Sequence, residues 1–253
     1  ITDIYIYMYQ IALILLIIIF IKLYKKQEYF SNPKLHGSFY INLDRQVDRK
    51  KYMEKQFENN HVKCKRFSAF DKKILSKEKI LEMKNNSIID KKHNVSKNKL
   101  GTIACLVSHT ELYKKIKKEY NGGTFLIFED DCKILPNFNK KLNNVLNNLP
   151  EDWDMIWLGY NKIKGYKYNE LFYKPYAGKH YGYNSQHHCY LLNYKFIPKL
   201  LNILLPVKQD FNTKDTVLRV HFDDFNPYFL NERLAVQDQK EFPTSERTGG
   251  RNG

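Results

Sequence analysis

Thr124-Phe125-Leu126-Ile127-Phe128-Glu129-Asp130-Asp131 is a run of β-forming residues that ends abruptly in three acids. Thr, Phe and Ile favour a pleated, buried strand. Three adjacent carboxylates are electrostatically costly unless a cation or hydrogen-bond donors offset them. In an extended chain residues 129 and 131 share a face, so Glu129 and Asp131 are candidate ligands of one hard divalent ion, with Asp130 directed elsewhere. Ligands of open α/β sheets bind at the carboxyl ends of strands, which is where these acids fall. Taken alone, the same acids fit a solvated loop or the first turn of a helix equally well.

Working outward, the pattern alternates. Upstream, Ile103, Leu106, Val107, Thr110, Tyr113 and Ile116 follow the three-and-four spacing of a helix that opens at Gly101 and stops at Asn121-Gly122-Gly123. Downstream, Phe138, Leu142, Val145 and Leu146 mark another helix, closed by Pro150, and residues 155–158 and 188–192 read as buried strands. Nearer the N-terminus, Phe39 to Leu43 is a short strand and Asp44-Arg45 a turn. Asp48 then caps a helix carrying Tyr52, Met53, Gln56 and Phe57. A strand is expected over 62–67, a helix around 77–83 and a surface loop over 85–99. Strand and helix alternate throughout, which predicts the α/β class.

Composition narrows the function. The chain has 253 residues, 43% hydrophobic, with 16 Phe and 19 Tyr, enough for one real core. Its formal net charge is +15. Only seven of the 42 cations are Arg, however, and the lysines are scattered in pairs such as Lys114-Lys115 and Lys140-Lys141 on what read as solvated helix faces. Without Arg clusters or an aromatic-basic motif, no nucleic-acid partner is expected. Cys64, Cys105, Cys132 and Cys189 show no CxxC spacing, so neither a disulfide framework nor a zinc site is indicated.

Residues 4–21 carry no charge, and at about 1.5 Å per residue they reach roughly 27 Å, enough for a bilayer core. The expectation is a single-pass membrane protein with an anchor at 1–26, a stem at 27–37, the main domain at 38–245 and a tail at 246–253. Lys22, Lys25 and Lys26 after the span place the domain on the cytoplasmic side by charge bias.

Five segments in order carry a resemblance. They are Tyr40-Ile41-Asn42-Leu43-Asp44-Arg45 with Asp48-Arg49; residues 101–109 ending in Ser108-His109; residues 125–131; Asp152-Trp153-Asp154-Met155-Ile156-Trp157-Leu158-Gly159; and Leu234-Ala235-Val236-Gln237. Together, and with Tyr190-Leu191-Leu192 before a helix as the family's strand-helix unit, they resemble glycosyltransferase family 25, which includes lipooligosaccharide and procollagen galactosyltransferases. The resemblance implies a GT-A-like fold with a mostly parallel mixed sheet and a UDP-sugar donor. It also implies Mn²⁺ or Mg²⁺ held by Glu129 and Asp131, inversion at the anomeric carbon, and a glycan or hydroxylated protein as acceptor. Asn42, Asp44, Arg49, Ser108, His109 and Asp130 fall where the family's donor-binding motifs lie. His187 or His188 is a candidate third metal ligand. The resemblance places the general base at Asp215, with Asp154 second and Asp223 or Asp224 third; Asp215 also fits a plain helix-start acid. Thr102 and Ala104 depart from the family's usual Glu and Gly, which keeps open a catalytically inactive carbohydrate-binding relative.

Overall fold

The structure of the protein is a computed structural model that describes residues 8, 11–16, 29–176, 188–208 and 213–242. The chain divides into two compact units, residues 1–30 and 31–253. In the first, residues 8 and 11–16 are helical and exposed. Among the described residues no helix is long and apolar enough to cross a membrane. The expected single-pass anchor is corrected accordingly, and with it the bilayer partner and the cytoplasmic orientation; the rest of residues 4–21 lies outside the described residues, as does the expected tail at 246–253.

In the second unit the elements follow as β1 (Leu35–Asn42), α1 (Val47–Asn59), β2 (Lys65–Ser68), α2 (Lys77–Asn85), α3 (Leu100–Glu119), β3 (Thr124–Glu129), β4 (Cys132–Ile134) and α4 (Phe138–Asn147). Then come β5 (Met155–Gly159), β6 (Gly165–Lys167), β7 (Phe172–Pro175), β8 (Cys189–Asn193), α5 (Ile197–Leu204), α6 (Lys214–Val220), β9 (Pro227–Leu230) and β10 (Ala235–Gln237). The strands form one sheet in the order β2-β1-β3-β8-β5-β9-β7-β6, with β10 pairing β5 and β4 off that path. Strands β1, β2, β3, β5, β6, β9 and β10 run one way, and β4, β7 and β8 the other. The sheet is mixed and mostly parallel in strand direction.

Alternation along the strands sends side chains to two apolar layers. Phe39, Ile41, Phe125, Ile127, Trp157, Tyr190 and Phe229 join one cluster with residues of α3, α5 and α6, and Trp157 stacks on Phe229 at 4.6 Å. On the other face Tyr40 and Phe128 each lie 5.2 Å from Phe57 of α1, and Phe128 lies 5.9 Å from Phe138 of α4. Fully burying one such ring is worth roughly 1.5–3 kcal/mol over leaving it exposed. With helices on both sides, Thr124 to Phe128 is buried along its whole length.

Most expected elements form within a residue or two. The helix expected from Gly101 runs from Leu100 to Glu119, and Gly123, just before β3, takes φ +108° with the His36 ring where a Cβ would stand. The stretch 85–99 differs from expectation, because Ile89 and His93 are buried and Ile89 bridges to Val207. Apolar Ile89 outweighs its polar surroundings there.

Candidate active site

Strand β3 stops at Glu129, and Asp130-Asp131 make the turn into β4. The alternation expected of an extended chain therefore does not run through residue 131. Instead each acid meets its own partners. Glu129 Oε1 lies 3.1 Å from His109 Nε2 and accepts from Lys214 Nζ at 3.2 Å. Asp130 accepts from Asn42 Nδ2 at 2.8 Å and from Arg49 at 2.9 Å. Burial pushes the Asp130 carboxyl above the usual carboxylate range, and Arg49 and Asn42 offset only part of that. Asp131 Oδ2 accepts from Gln237 Nε2 at 2.8 Å and stands 3.7 Å from Arg49. Its Oδ1 is buried and, among the described residues, has no hydrogen-bond partner.

These acids form one wall of a cleft of about 110 Å³ that Arg49, Ser108, His109, Cys105 and Phe70 also line. An adjoining depression shares Arg45, Ala69, Phe70 and Ser108 with it and carries Asp44 on its rim. Asn42, at the end of β1, is buried and also accepts from Arg66 Nε at 2.9 Å, so one amide ties Arg66 to Asp130. The Arg49 guanidinium lies 4.7 Å above the Phe242 ring. Ser108 Oγ donates to the Ala104 carbonyl and accepts from Phe70 N–H at 2.8 Å, which fixes the cleft floor against α3.

Asp44 accepts from Arg66 at 2.6 Å and Ser68 Oγ at 2.8 Å. The Arg66 hydrogen bond holds its carboxyl below the usual carboxylate range, aided by Ser68. The pair's contribution is thus present above the unfolded-state value of about 3.9 and lost as pH falls through the lowered one. In a carbon-detected NMR titration the Asp44 midpoint is expected below that of a free Asp, and Arg66→Gln should raise it. An unmoved midpoint in Arg66→Gln would show that the guanidinium is not the cause.

The other expected residues separate. Asp215 is buried in the first turn of α6, beside Lys214, and its charge helps to raise the Tyr113 phenol, after burial and the Glu129 charge. It therefore lies near the Glu129 group. Asp154 does not. It precedes β5, which runs parallel to β3, and its carbonyl accepts from Asn193 N–H, level with Thr124 at the opposite end of the sheet. Its carboxylate accepts from Asn226 N–H at 2.9 Å, a structural bond. Asp223 and Asp224 are exposed, and Asp224 pairs with His221. His188 is buried at the level of Glu129, whose N–H donates to its carbonyl; His187 lies outside the described residues.

Sequence reasoning gave no site role to Lys214, Tyr190, Cys105 or Arg66, although Cys105 and Tyr190 lie in the family-like segments. Tyr190 Oη lies 2.9 Å from His109 Nδ1 and 2.7 Å from Tyr113 Oη. Nothing local marks a lysine as buried in a chain with so many, and only the tertiary fold brings residue 214 to residue 129.

A partly buried acidic turn at the carboxyl end of β3, facing a cleft, sits where open α/β sheets bind their ligands. The family model for glycosyltransferase family 25 (LPS biosynthesis protein) matches residues 36–213, and the chain belongs to that family. A protein of Acanthamoeba polyphaga mimivirus named as a glycosyltransferase is 32% identical over 121 residues, covering 47% of this chain and 36% of the relative. Human procollagen galactosyltransferase 2 is 27% identical over 131 residues, covering 50% of this chain and 21% of the relative. The chain thus spans between about a fifth and a third of the length of these curated relatives. The crystal structure of a glycosyltransferase involved in glycosylation of the major capsid of PBCV-1 aligns with a TM-score of 0.47 and 8% identity, covering 85% of this chain and 95% of that one.

Proposed function

We propose that this chain is a metal-dependent, inverting glycosyltransferase. It moves a hexose, galactose or glucose, from a UDP-sugar to a hydroxyl of a glycan or hydroxylated protein. The observation that carries the reading is Asp131 Oδ1, a buried carboxylate oxygen without a hydrogen-bond partner among the described residues, at the lip of an acid-lined cleft. Leaving such an oxygen unsatisfied is costly. A hard divalent ion satisfies it, and carboxylate oxygens suit Mn²⁺ or Mg²⁺. Asp131 and Glu129 would hold that ion, which when bound neutralises charge developing on the leaving diphosphate.

The chain's own residues do the rest. Arg49 and Asn42 lock Asp130, which keeps the turn from swinging away from the cleft. Asp44, exposed on the adjoining rim, accepts hydrogen bonds from ribose or base. Ser108 and His109 fix the wall between donor and acceptor sides. Asp215 takes the proton of the attacking hydroxyl. That oxygen bonds to the anomeric carbon on the face away from the diphosphate, so the carbon–diphosphate bond breaks and configuration inverts. The name of the human relative supports galactose as the first sugar to try.

The test is a panel of nucleotide-sugars offered to the protein, with hydrolysis measured with and without Mn²⁺. Mn²⁺-stimulated release of UDP from at least one UDP-hexose is expected. If no donor is cleaved under any metal, the protein is an inactive sugar-binding relative and the catalytic reading falls.

A further inference from the structure

Lys214 Nζ, His109 Nε2 and Glu129 Oε1 form a triangle with sides of 3.1, 3.1 and 3.2 Å. Lys214 is only 2% exposed, and its Nζ lies 4.9 Å from the centre of the Tyr190 ring. A lysine head is a donor only, and burying it is costly unless its charge is paired and its protons are received. Glu129, His109 and the negative face of Tyr190 supply that environment. The position does nothing for α6, because a cation in a helix's first turn faces the positive end of the helix dipole. Lys214 is therefore placed for what it touches.

Cys105 stands one turn before His109 on α3, so the two side chains share a face. The ligand-type atoms of Cys105, His109 and Glu129 all lie within 4.8 Å of one another. Thiolate, imidazole and carboxylate together are a donor set for a borderline ion such as Zn²⁺ or Co²⁺, not for Mg²⁺. Two of those three groups are the ones that the ammonium already grips.

We infer that Lys214 is a built-in cation: its ammonium occupies the His109 and Glu129 side of the seat formed by Cys105, His109 and Glu129 and keeps borderline divalent metals out of it. A dication entering there has to displace a buried positive charge from the same carboxylate oxygen and the same ring nitrogen. The ammonium is bonded to Oε1 of Glu129, so an ion held at Asp131 would reach Glu129 through its other carboxylate oxygen. The lysine thus separates a thiol-bearing pocket from the oxygen-only side of the acidic turn at Asp131. This inference rests on charge and distance and not on the proposed sugar transfer.

Cobalt(II) is the probe, because a thiolate bound to it absorbs in the near ultraviolet. It is titrated into the unaltered chain and into Lys214→Met, with Cys105→Ser added to Lys214→Met as control. The unaltered chain is expected to give no Cys105-dependent band over the range that saturates Lys214→Met. That corresponds to at least about a tenfold difference in affinity, the size of effect that changes beside metal ligands produce. Lys214→Arg retains the charge and should behave as the unaltered chain does. A Cys105-dependent band in the unaltered chain, at an affinity equal to the variant's, overturns the inference. So does a folded Lys214→Met that binds no cobalt through Cys105. Should Lys214→Met not fold, Lys214→Gln retains a donor for Glu129 and takes its place; the measurement on the unaltered chain needs no variant. Release of UDP by the unaltered chain reports separately on sugar transfer, so the two readings fail independently.

Discussion

Asp131→Asn is expected to remove Mn²⁺ binding, and the Mn²⁺-stimulated release of UDP with it, while the protein stays folded. The carboxylate offers two oxygens of unlike status. One accepts from Gln237, and the other is buried with no donor aimed at it among the described residues. An amide of the same shape keeps one oxygen but loses the charge that draws a dication. Affinity should fall by more than the about 10–100-fold typical of changes in groups behind metal ligands. The fold should survive, because the Asp131 charge raises its neighbour Asp130 and so burdens the metal-free protein. Removing it leaves the melting temperature of the metal-free form unchanged or slightly higher. Asp130→Asn should act differently. It takes a salt-bridge partner from the buried Arg49 and loosens the turn, so stability falls more than metal affinity. Calorimetric Mn²⁺ titrations and thermal melts of both variants check this. Undiminished Mn²⁺ affinity in Asp131→Asn would place the ion elsewhere.

For Asp215→Asn the expected result is a loss of transfer by about 10²–10⁴-fold, the usual cost of deleting a general base. Donor affinity should stay within about threefold, since a group serving the acceptor touches neither the diphosphate nor its ion. Asp44→Asn should show the reverse, with weaker donor binding and a smaller effect at saturation. Steady-state kinetics with both substrates varied, together with direct UDP binding, separate these outcomes. If Asp215→Asn weakens metal binding, the residue is a ligand. If it changes neither quantity, Asp215 is a helix-start acid. Asp154 then offers no fallback, since it sits at the far end of the sheet.

Asp154 also marks the boundary of what the sequence makes legible. The strand after it is evident from Met155 to Leu158, and the motif around it carries the family. Its distance from Glu129 follows from strand direction alone: β5 runs with β3, so the residue before one and the residue ending the other lie at opposite edges. Local periodicity contains no such information. The acidic run behaves similarly. Its position after a β-forming stretch is visible, but the extended-chain rule stops at Glu129, where the backbone turns, and the three side chains go to three sets of partners. Amphipathic α3 was readable to within a residue. Lys214 was not, because its burial depends on α6 docking against residues of α3 and β3 that lie far earlier in the chain.

Gln237 and Asp131 are 106 positions apart. The backbone of the acidic turn is also tied to the far end, since Asp238 N–H donates to the Asp131 carbonyl, while Tyr52 donates to Asp238 at 2.6 Å. A chain being synthesised has made β3 and its acids long before it has made their clasp, and such distant pairings close late. Until residues 235–242 arrive, Arg49 and Asn42 hold Asp130, but Asp131 lacks both the Gln237 amide and the Asp238 N–H that aim it. The aim of Asp131 therefore depends on residues 235–242, and a copy clipped before them, or a nascent one that has not reached them, holds the acids without that grip.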